Sequence, residues 1–221
     1  MSVDIIIPAA GECVYRAAAL TYVSRRWMDL GFDVKIGEMW GPWCKALAVA
    51  DALERSTADV IVIHDSDSWC PDTPAAVEAV QAGSAWACPF AMVKRLRANV
   101  TEDVLAGAPL SGLPTMPPHR AVPGGGVVVI TRDLYDRVPL DPRFVLWGFE
   151  DIAWGMALRA TVGPAQCFTG DLWHLFHPPA SKDQSPEKRV ASALRARYAK
   201  AMRNADDMRQ IISEAREALA A

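Results

Sequence analysis

The sequence lacks the cysteine pattern of a disulfide-stabilised or zinc-binding protein. Its five cysteines are odd in number and widely spaced, and no two of them form a Cys-x-x-Cys pair. Secreted disulfide frameworks use even numbers of cysteines, and many zinc and redox sites use close pairs. We therefore expect reduced thiols and a cytoplasmic location.

The sequence also lacks a basic excess and long apolar runs. The formal net charge is −3, and the Lys-Arg-Leu-Arg run at 94–97 is only a local basic patch, whereas nucleic-acid-binding domains usually carry a basic excess. Nowhere do about 18 apolar residues run together, and the N-terminus shows no basic leader. We expect no nucleic-acid partner and no transmembrane segment.

Three common motifs of nucleotide and acyl chemistry are missing as well. The chain has no Gly-x-x-x-x-Gly-Lys phosphate loop and no Gly-x-Ser-x-Gly nucleophile elbow. The triple glycine at 124–126 precedes a predicted strand, whereas a dinucleotide fingerprint opens a helix. These absences disfavour P-loop nucleotidases, α/β-hydrolases and dinucleotide-dependent oxidoreductases.

The pattern of apolar residues predicts an α/β protein. With 221 residues, 51% of them hydrophobic, the chain can form one domain with a sizeable core. Short apolar runs at 3–7, 34–36 and 60–63 alternate with helical spacing at 20–30 and 45–53. This β-α-β-α-β order is typical of a parallel sheet with right-handed crossovers. We predict a catalytic domain at 1–180 and a helical extension at 181–221, packed on or beside it.

The second half of the chain departs from this alternation. We predict helices at 73–83 and from about 150 to 160, and strands near 86–90, 127–130, 166–168 and 172–176. The stretch 91–122 has weak periodicity and several prolines and glycines, so we expect a functional or mobile loop. Residues 186–220 predict one or two helices, broken near 204–206, which either pack on the sheet or dock a partner.

The run at 60–67 ends in two carboxylates, Asp65 and Asp67. A buried parallel strand would bring both to its C-terminal end, where open α/β sheets bind ligands, and side chains at i and i+2 of an extended segment point the same way. Two like charges so close favour a bound divalent cation and a phosphate. The alternative is a plain turn, because Asp and Ser are common turn residues.

A second acidic pair, Glu150 and Asp151, follows an aromatic-glycine turn at a predicted helix start. The helix dipole favours carboxylates there and keeps them ionised. An ionised Asp beside a bound hydroxyl is what a general base requires. The alternative is a helix cap. Trp147 lies next to the pair, and sugar rings stack well on aromatic faces.

Two of the four histidines, His174 and His177, lie in one apolar stretch. Histidine is a common ligand of borderline metals such as Mn²⁺ and can complete a site begun by distant aspartates. Because successive side chains of a strand point to opposite faces, we expect only one of the two to be a ligand. The alternative is a hydrogen-bonded core histidine.

Several stretches occur in the order typical of one enzyme family. They are Ile-Ile-Ile-Pro at 5–8, Trp-Cys-Lys-Ala at 43–46, Asp-Ser-Asp at 65–67, Gly-Gly-Val at 125–127, Trp-Gly-Phe-Glu-Asp at 147–151 and the late histidines. In this order they resemble glycosyltransferases of the GT-A fold, most closely the β-1,4-galactosyltransferase and polypeptide N-acetylgalactosaminyltransferase groups. Lys45 stands where the former group has arginine. The resemblance implies a Rossmann-like α/β sandwich with a mainly parallel central sheet and C-terminal helices.

The resemblance also implies an activity and roles for residues. It implies metal-dependent transfer of a sugar from a nucleotide-diphosphate sugar, a UDP-sugar being favoured, to a hydroxyl of a glycan, protein or small molecule. Asp67 with His174 or His177 would hold Mn²⁺ or Mg²⁺, and Asp65 would bind the ribose or the metal. Asp151 would be the catalytic base, assisted by Glu150. The implied acceptor contacts are Trp147, Gly148 and Glu150. The implied nucleotide-sugar contacts are Pro8, Ala9, Ala10, Glu12, Arg16, Lys45, Asp65, Ser66, Gly125 and Gly126.

Alternatives stay open at the level of sequence. Inversion with Asp151 as base is expected, but the N-acetylgalactosaminyltransferase group retains configuration on a similar scaffold. The Pro-Ala-Ala-Gly run at 8–11, followed by Arg16, resembles the opening of sugar nucleotidyltransferases, although Cys-Val-Tyr at 13–15 is not their Gly-x-Gly-x-Arg loop. A non-catalytic sugar- or nucleotide-binding module is the third interpretation. The sequence does not identify the donor sugar, the acceptor or the oligomeric state. A homo-oligomer is one alternative.

Overall fold

The first half of the chain alternates strands and helices, as predicted. The structure is a computed structural model that describes residues 1–9, 13–179 and 185–221. Its first elements are β1 (Val3–Pro8), α1 (Val14–Asp29), β2 (Asp33–Gly37), α2 (Lys45–Leu53) and β3 (Val60–His64). Strand β1 lies between β2 and β3 and is parallel to both. The carboxyl ends of the three strands therefore meet at one edge of the sheet.

The remaining elements complete two sheets and a helical C-terminus. They are β4 (Ser68–Trp69), α3 (Thr73–Gln81), β5 (Trp86–Cys88), β6 (Met92–Arg95), α4 (Ala98–Leu105), β7 (His119–Arg120), β8 (Val127–Thr131), α5 (Arg132–Arg137), α6 (Glu150–Val162), β9 (Gln166–Cys167), β10 (Asp171–His174), α7 (Pro186–Ala201) and α8 (Ala205–Ala220). The larger sheet has the order β2-β1-β3-β8-β5-β9, and the smaller one β4-β10-β6-β7.

Strand β8 is antiparallel to its neighbours in an otherwise parallel sheet. It pairs antiparallel with β3 and β5, whereas the β1–β2, β1–β3 and β5–β9 pairs are parallel. Its first residue, Val127, lies opposite His64, the last residue of β3. The backbone N–H of Asp65 then donates to the carbonyl of Gly126 at 2.8 Å. The start of β8 therefore brings the glycine run beside the first carboxylate of the site.

The large sheet buries both of its faces. On β3, Ile61 and Ile63 pack with helices α2, α6, α7 and α8, whereas Val60 and Val62 pack with α1 and α3. This follows from the period of two along a strand, and burial on both faces explains why β3 is apolar from Val60 to Ile63. Each such side chain stabilises the fold by about 1.5–3 kcal/mol through burial. The sheet is therefore a rigid support for the residues at its edge.

The prediction of a functional or mobile loop at 91–122 is wrong where the stretch forms regular elements. It contains β6, α4 and β7, which are short elements of four, eight and two residues. Val100 and Val104 of α4 are buried in a separate apolar cluster with Leu175. Packing against this cluster stabilises a helix too short to be recognised from periodicity.

The C-terminal helices join the main core. Residues 186–220 form two helices with a break at 202–204, close to the predicted position. Leu194 and Tyr198 of α7 and Ile211 of α8 are buried in the same cluster as α6. The Tyr198 hydroxyl donates to the buried Asp141 carboxylate at 2.9 Å. The domain boundary near 180 stays a prediction. Among the described residues, no helix is both long and apolar enough to cross a membrane.

Candidate active site

A cleft of about 500 Å³ opens where β1 and β3 end. The predicted site residues that line it are Pro8, Arg16, Lys45, Asp65, Ser66, Asp67, Gly125, Gly126, Trp147, Gly148, Glu150, Asp151, His174 and His177. Ala9 lines an adjoining pocket of about 280 Å³, which shares Arg16 and Ser66 with the cleft. Ala10 and Glu12 lie outside the described residues. The fold thus gathers residues that lie far apart in the sequence.

Lys45 connects the ends of β3 and α6 through two ion pairs. It begins α2, and its ammonium nitrogen lies 2.6 Å from Asp65 Oδ1 and 2.8 Å from Asp151 Oδ1. The Lys45 side chain is only 6% exposed. Burial acts to lower the pKa of Lys45, but the carboxylates of Asp151 and Asp65 raise this pKa above its ordinary value. Lys45 therefore stays charged and fixes the two carboxylates relative to each other.

The two carboxylates that Lys45 holds differ in their pKa. Against the effect of burial, the Lys45 ammonium lowers the pKa of Asp65. Burial, together with the nearby carboxylates of Asp65 and Glu150, raises the pKa of Asp151 to about 7 against the effect of Lys45. Burial also raises the pKa of Glu150.

The expectation that the start of α6 keeps its acids ionised is therefore wrong for Asp151 near neutral pH. A group with a pKa of about 7 is about half protonated at pH 7. The physical reason is that loss of hydration and like-charge repulsion outweigh the partial positive charge at the helix start. Asp151 is consequently able to exchange a proton in the physiological range.

Asp67 forms a group of potential metal ligands with His174 and His177. It lies in the turn between β3 and β4, and its backbone carbonyl accepts from the Leu175 N–H at 2.8 Å. Its carboxylate lies 3.3 Å from His177 Nε2 and 3.8 Å from His174 Nε2. One ligand atom from each of the three residues lies within 4.8 Å of the others. A carboxylate oxygen and two imidazole nitrogens suit a divalent metal such as Mn²⁺.

Both histidines lie beside Asp67, so strand alternation does not separate them, and the expectation that only one of them is a metal ligand stays a prediction. Strand β10 ends at His174, so the alternation of a strand does not extend to His177, and the two ring centroids are 5.1 Å apart. Burial lowers the pKa of His174, which favours the neutral imidazole that binds metals. Asp65 lies outside this ligand group and pairs with Lys45, so its metal role stays a prediction.

Arg16 of α1 covers one side of the ligand group. Its guanidinium lies 3.7 Å from Asp67, 3.3 Å from His177 Nε2 and 3.9 Å above the ring of Trp147. Trp147 in turn stacks on Trp43, with ring centroids 4.9 Å apart. Sequence reasoning missed Trp43 as the residue that stacks on Trp147, although Trp43 lies two residues before Lys45. Through Trp147, this stack connects the part of the cleft that holds Glu150 and Asp151 to the ligand group.

The loop before α6 holds a strained backbone that places Trp147 and Glu150. Leu146 and Phe149 have φ of 67° and 77°, a left-handed conformation that L-residues rarely adopt. Such strain costs about 1–3 kcal/mol per residue and is typical of functional sites. The Leu146 N–H donates to the Trp43 carbonyl at 2.7 Å, and the Gly148 N–H donates to the Glu150 carboxylate at 2.9 Å. These bonds hold the loop in place.

Glycines allow the start of β8 to pass directly beside α6. A Cβ on Gly125 would lie 2.8 Å from Asp151 Oδ2, and one on Gly124 would lie 2.3 Å from the Asp151 carbonyl. On the helix side, a Cβ on Gly155 would lie 2.0 Å from the Pro123 carbonyl. This close approach holds Asp151 above the end of β3.

Sequence reasoning missed three basic residues that line the cleft, namely Arg95, His119 and Arg120. They lie in β6 and β7, inside the stretch that was predicted as a loop. The run Met-Val-Lys-Arg at 92–95 does not alternate between apolar and basic residues, so the sequence gives no period-two signal for β6. A strand of two residues such as β7 leaves no such signal.

Solved structures of glucosyl-3-phosphoglycerate synthase from Mycobacterium tuberculosis have a similar fold. The complex with Mn²⁺, UDP-glucose and phosphoglyceric acid matches with a TM-score of 0.51 and 18% identity, over 90% of this chain and 80% of that chain. The complex with Mn²⁺ and UDP-glucose matches with a TM-score of 0.50 and 17% identity, over 91% of this chain and 78% of that chain. That synthase is a GT-A glycosyltransferase. This chain has the GT-A fold.

The similarity confirms the GT-A part of the sequence prediction and goes no further. It does not support the narrower resemblance to the galactosyltransferase and N-acetylgalactosaminyltransferase groups. No protein-family model and no curated protein sequence matches the chain. Because many activities share one fold, the function has to be argued from the site.

Proposed function

We propose that this protein is a metal-dependent glycosyltransferase that moves a sugar from a UDP-sugar to an acceptor hydroxyl. The proposal rests on the cleft, which contains the Asp67, His174 and His177 ligand group together with a carboxylate, Asp151, that is fixed by Lys45. The similar structures were solved with Mn²⁺ and UDP-glucose, which supports this class of donor.

Asp67, His174 and His177 would hold the metal. One anionic oxygen and two neutral nitrogens fit Mn²⁺, whereas an all-oxygen set would favour Ca²⁺. Mg²⁺ remains the alternative ion. When bound, a divalent cation supplies positive charge that stabilises the diphosphate as a leaving group.

The donor would lie along the end of β1 and the start of β8. Ala9, Arg16 and Ser66 line the smaller pocket, where we place the nucleoside, and Pro8, Gly125 and Gly126 line the cleft beside it. Asp65 is ionised and accepts a hydrogen bond from the ribose. The Arg16 guanidinium, which contacts Asp67 in this structure, binds the diphosphate.

Asp151 would act as the general base. Lys45 holds one of its carboxylate oxygens, and the other lies beside Gly125. As the acceptor oxygen attacks the anomeric carbon, the bond from that carbon to the diphosphate oxygen breaks, and the hydroxyl proton passes to Asp151. A pKa of about 7 suits this step at neutral pH. Attack opposite the leaving group inverts the anomeric configuration, and retention is the alternative.

The acceptor would bind at Trp147, Gly148 and Glu150. In this structure Arg16 and Trp43 contact the ring of Trp147. A sugar can therefore stack on Trp147 only after Arg16 leaves it. Arg16 leaves when it binds the diphosphate, so the donor would bind before the acceptor.

Thermal stabilisation by nucleotide sugars, with and without Mn²⁺, tests this function. A ligand that binds the folded state raises the melting temperature by mass action. We expect stabilisation by a UDP-sugar that requires Mn²⁺, followed by sugar transfer or hydrolysis on longer incubation. Release of pyrophosphate from a nucleoside triphosphate and a sugar phosphate would instead indicate a nucleotidyltransferase, and binding without turnover of any donor would indicate a binding module.

A further inference from the structure

The smaller sheet contributes basic residues to the lining of the cleft. Strands β6 and β7 are antiparallel, with His119 opposite Val93. Because side chains two apart on a strand share a face, Arg95 points the same way as Val93, and both line the cleft. Lys94 points to the other face, where it pairs with Asp171 at 2.5 Å. Arg120 lies opposite Met92 at the end of the two-residue strand β7, and it lines the cleft as well.

The protein itself does not pair these three basic side chains with an acid. Within residues 1–9, 13–179 and 185–221, neither Arg95, His119 nor Arg120 lies within 4.0 Å of a carboxylate oxygen. The acids of the cleft are engaged elsewhere. Their contacts are Asp65 and Asp151 with Lys45, Asp67 with Arg16, and Glu150 with the Gly148 N–H. Positive charge therefore faces the cleft at Arg95 and Arg120.

The position of these side chains indicates which substrate they meet. In the strand order β4-β10-β6-β7, Arg95 lies opposite His174, and His119 and Arg120 lie one strand further from the ligand group. Strands are spaced by about 4.8 Å, so β6 and β7 lie roughly 5 and 10 Å from β10. All three residues line the cleft, whereas the smaller pocket that we assign to the nucleoside is lined by α1 and by residues that follow β1, β2 and β3. They are therefore placed for the acceptor.

We propose that Arg95, His119 and Arg120 form a subsite for an anionic group of the acceptor, a phosphate or a carboxylate. This inference rests on the proposed function, because it assumes that the cleft transfers a sugar to a hydroxyl. Guanidinium groups bind both oxyanions through paired N–H donors, and remain charged at any physiological pH. The acceptor hydroxyl would then lie towards Asp151, with its anionic group at the edge of the smaller sheet.

Three small acceptors that share a hydroxyl test the subsite. Glycerol is neutral, glycerate carries a carboxylate, and glycerol 3-phosphate carries a phosphate. The wild-type protein is first assayed for Mn²⁺-dependent UDP release from UDP-sugars in water, and kcat/KM is then measured for each acceptor with the active donor. We expect a preference of at least tenfold for one or both anionic acceptors over glycerol, and the comparison of glycerate with glycerol 3-phosphate identifies the anion.

Substitutions connect this preference to the basic residues. Arg95→Gln and Arg120→Gln are each expected to lower the ratio of kcat/KM for the anionic acceptor to that for glycerol by roughly tenfold or more, since a hydrogen bond to a charged group is lost. Lys94→Gln, the matched control on the opposite face of β6, keeps the wild-type ratio.

The outcomes separate the two proposals. UDP release without any preference for anionic acceptors overturns the subsite alone. The subsite is also overturned if both arginine variants keep the preference, or if Lys94→Gln loses it to the same extent as they do. Absence of metal-dependent UDP release with every UDP-sugar overturns the proposed function and the subsite with it.

Discussion

Lys45 affects both the position and the ionisation of two carboxylates in the site. It is buried, and its ammonium bridges Asp65 after β3 and Asp151 at the start of α6. Without this charge the two carboxylates would repel each other in a partly dehydrated cleft. Lys45 thus positions the proposed base, Asp151, and limits the rise in the pKa of Asp151.

The pH dependence of transfer should follow the ionisation of Asp151. The base acts only when deprotonated, and burial together with the nearby carboxylates raises its pKa to about 7. We expect kcat/KM to fall about tenfold per pH unit below pH 7 and to reach a plateau above it. Lys45→Met should move this acid limb to higher pH, because removal of the ammonium raises the pKa of Asp151 further.

Lys45→Arg is the control for that shift, because it keeps a cation between the same carboxylates. Its pH profile of kcat/KM should match the wild type within about half a pH unit. An unchanged acid limb in Lys45→Met would contradict the assignment of Asp151 as the titrating base.

Asp67 should be required for metal-dependent binding of UDP. Asp67→Asn removes the anionic oxygen from the ligand group and leaves two histidines, so we expect UDP affinity to become insensitive to Mn²⁺. Calorimetric titration of UDP with and without MnCl₂ measures this. Asp103→Asn, on the exposed surface of α4, should behave as wild type. Mn²⁺-dependent UDP binding by Asp67→Asn would remove Asp67 from the metal site.

At the level of elements, the contact between α6 and the start of β8 positions the base. Alanine normally stabilises a helix interior relative to glycine by about 1 kcal/mol. At Gly155 of α6 the sign should reverse, because a Cβ would lie 2.0 Å from the Pro123 carbonyl. We expect Gly155→Ala to lower the free energy of unfolding by about 1–3 kcal/mol in urea denaturation.

The same substitution should also reduce turnover, because it displaces the glycine run that adjoins Asp151. Ala160→Gly, at an exposed position of the same helix, is the control and should lower the free energy of unfolding by about 1 kcal/mol with kcat unchanged. A Gly155→Ala protein that is more stable than wild type would show that the helix and the loop are not in close contact.

Elements could be predicted where one local pattern was sufficient. Strand β3 is apolar from Val60 to Ile63 because both sheet faces are covered, and its end fixed the positions of Asp65 and Asp67 in the cleft. The position of His177 beside Asp67 was not predicted because it depends on where β10 ends, which alternation alone does not reveal. Arg95 was missed because Met-Val-Lys-Arg at 92–95 does not alternate, and Arg120 because β7 has two residues and exists only through pairing with β6. Long-range pairing of this kind leaves no periodic trace in a sequence.

For the whole molecule, the C-terminal helices should determine stability and leave the chemistry unaffected. Leu194 of α7 is buried in the main core, so Leu194→Ala should lower the free energy of unfolding by about 2–5 kcal/mol. Val190 lies one turn earlier and is 59% exposed, so Val190→Ala should stay within about 0.5 kcal/mol of wild type. Both should keep the wild-type kcat, and truncation after Ser185 should prevent stable folding.

A soluble, folded truncation at Ser185 would contradict this account of the core. If that protein bound a UDP-sugar but had lost transfer to a small acceptor, the C-terminal helices would belong to the active site. Thermal unfolding and transfer assays on the same preparation distinguish the two results.

Release of UDP from a UDP-sugar, with and without Mn²⁺, is the most direct measurement of the central claim. The account predicts release that stops in EDTA, resumes when Mn²⁺ is added back, and falls at least about a hundredfold in Asp151→Asn. Release that continues in EDTA, or at the wild-type rate in Asp151→Asn, would contradict a metal-dependent transferase that uses Asp151 as its base.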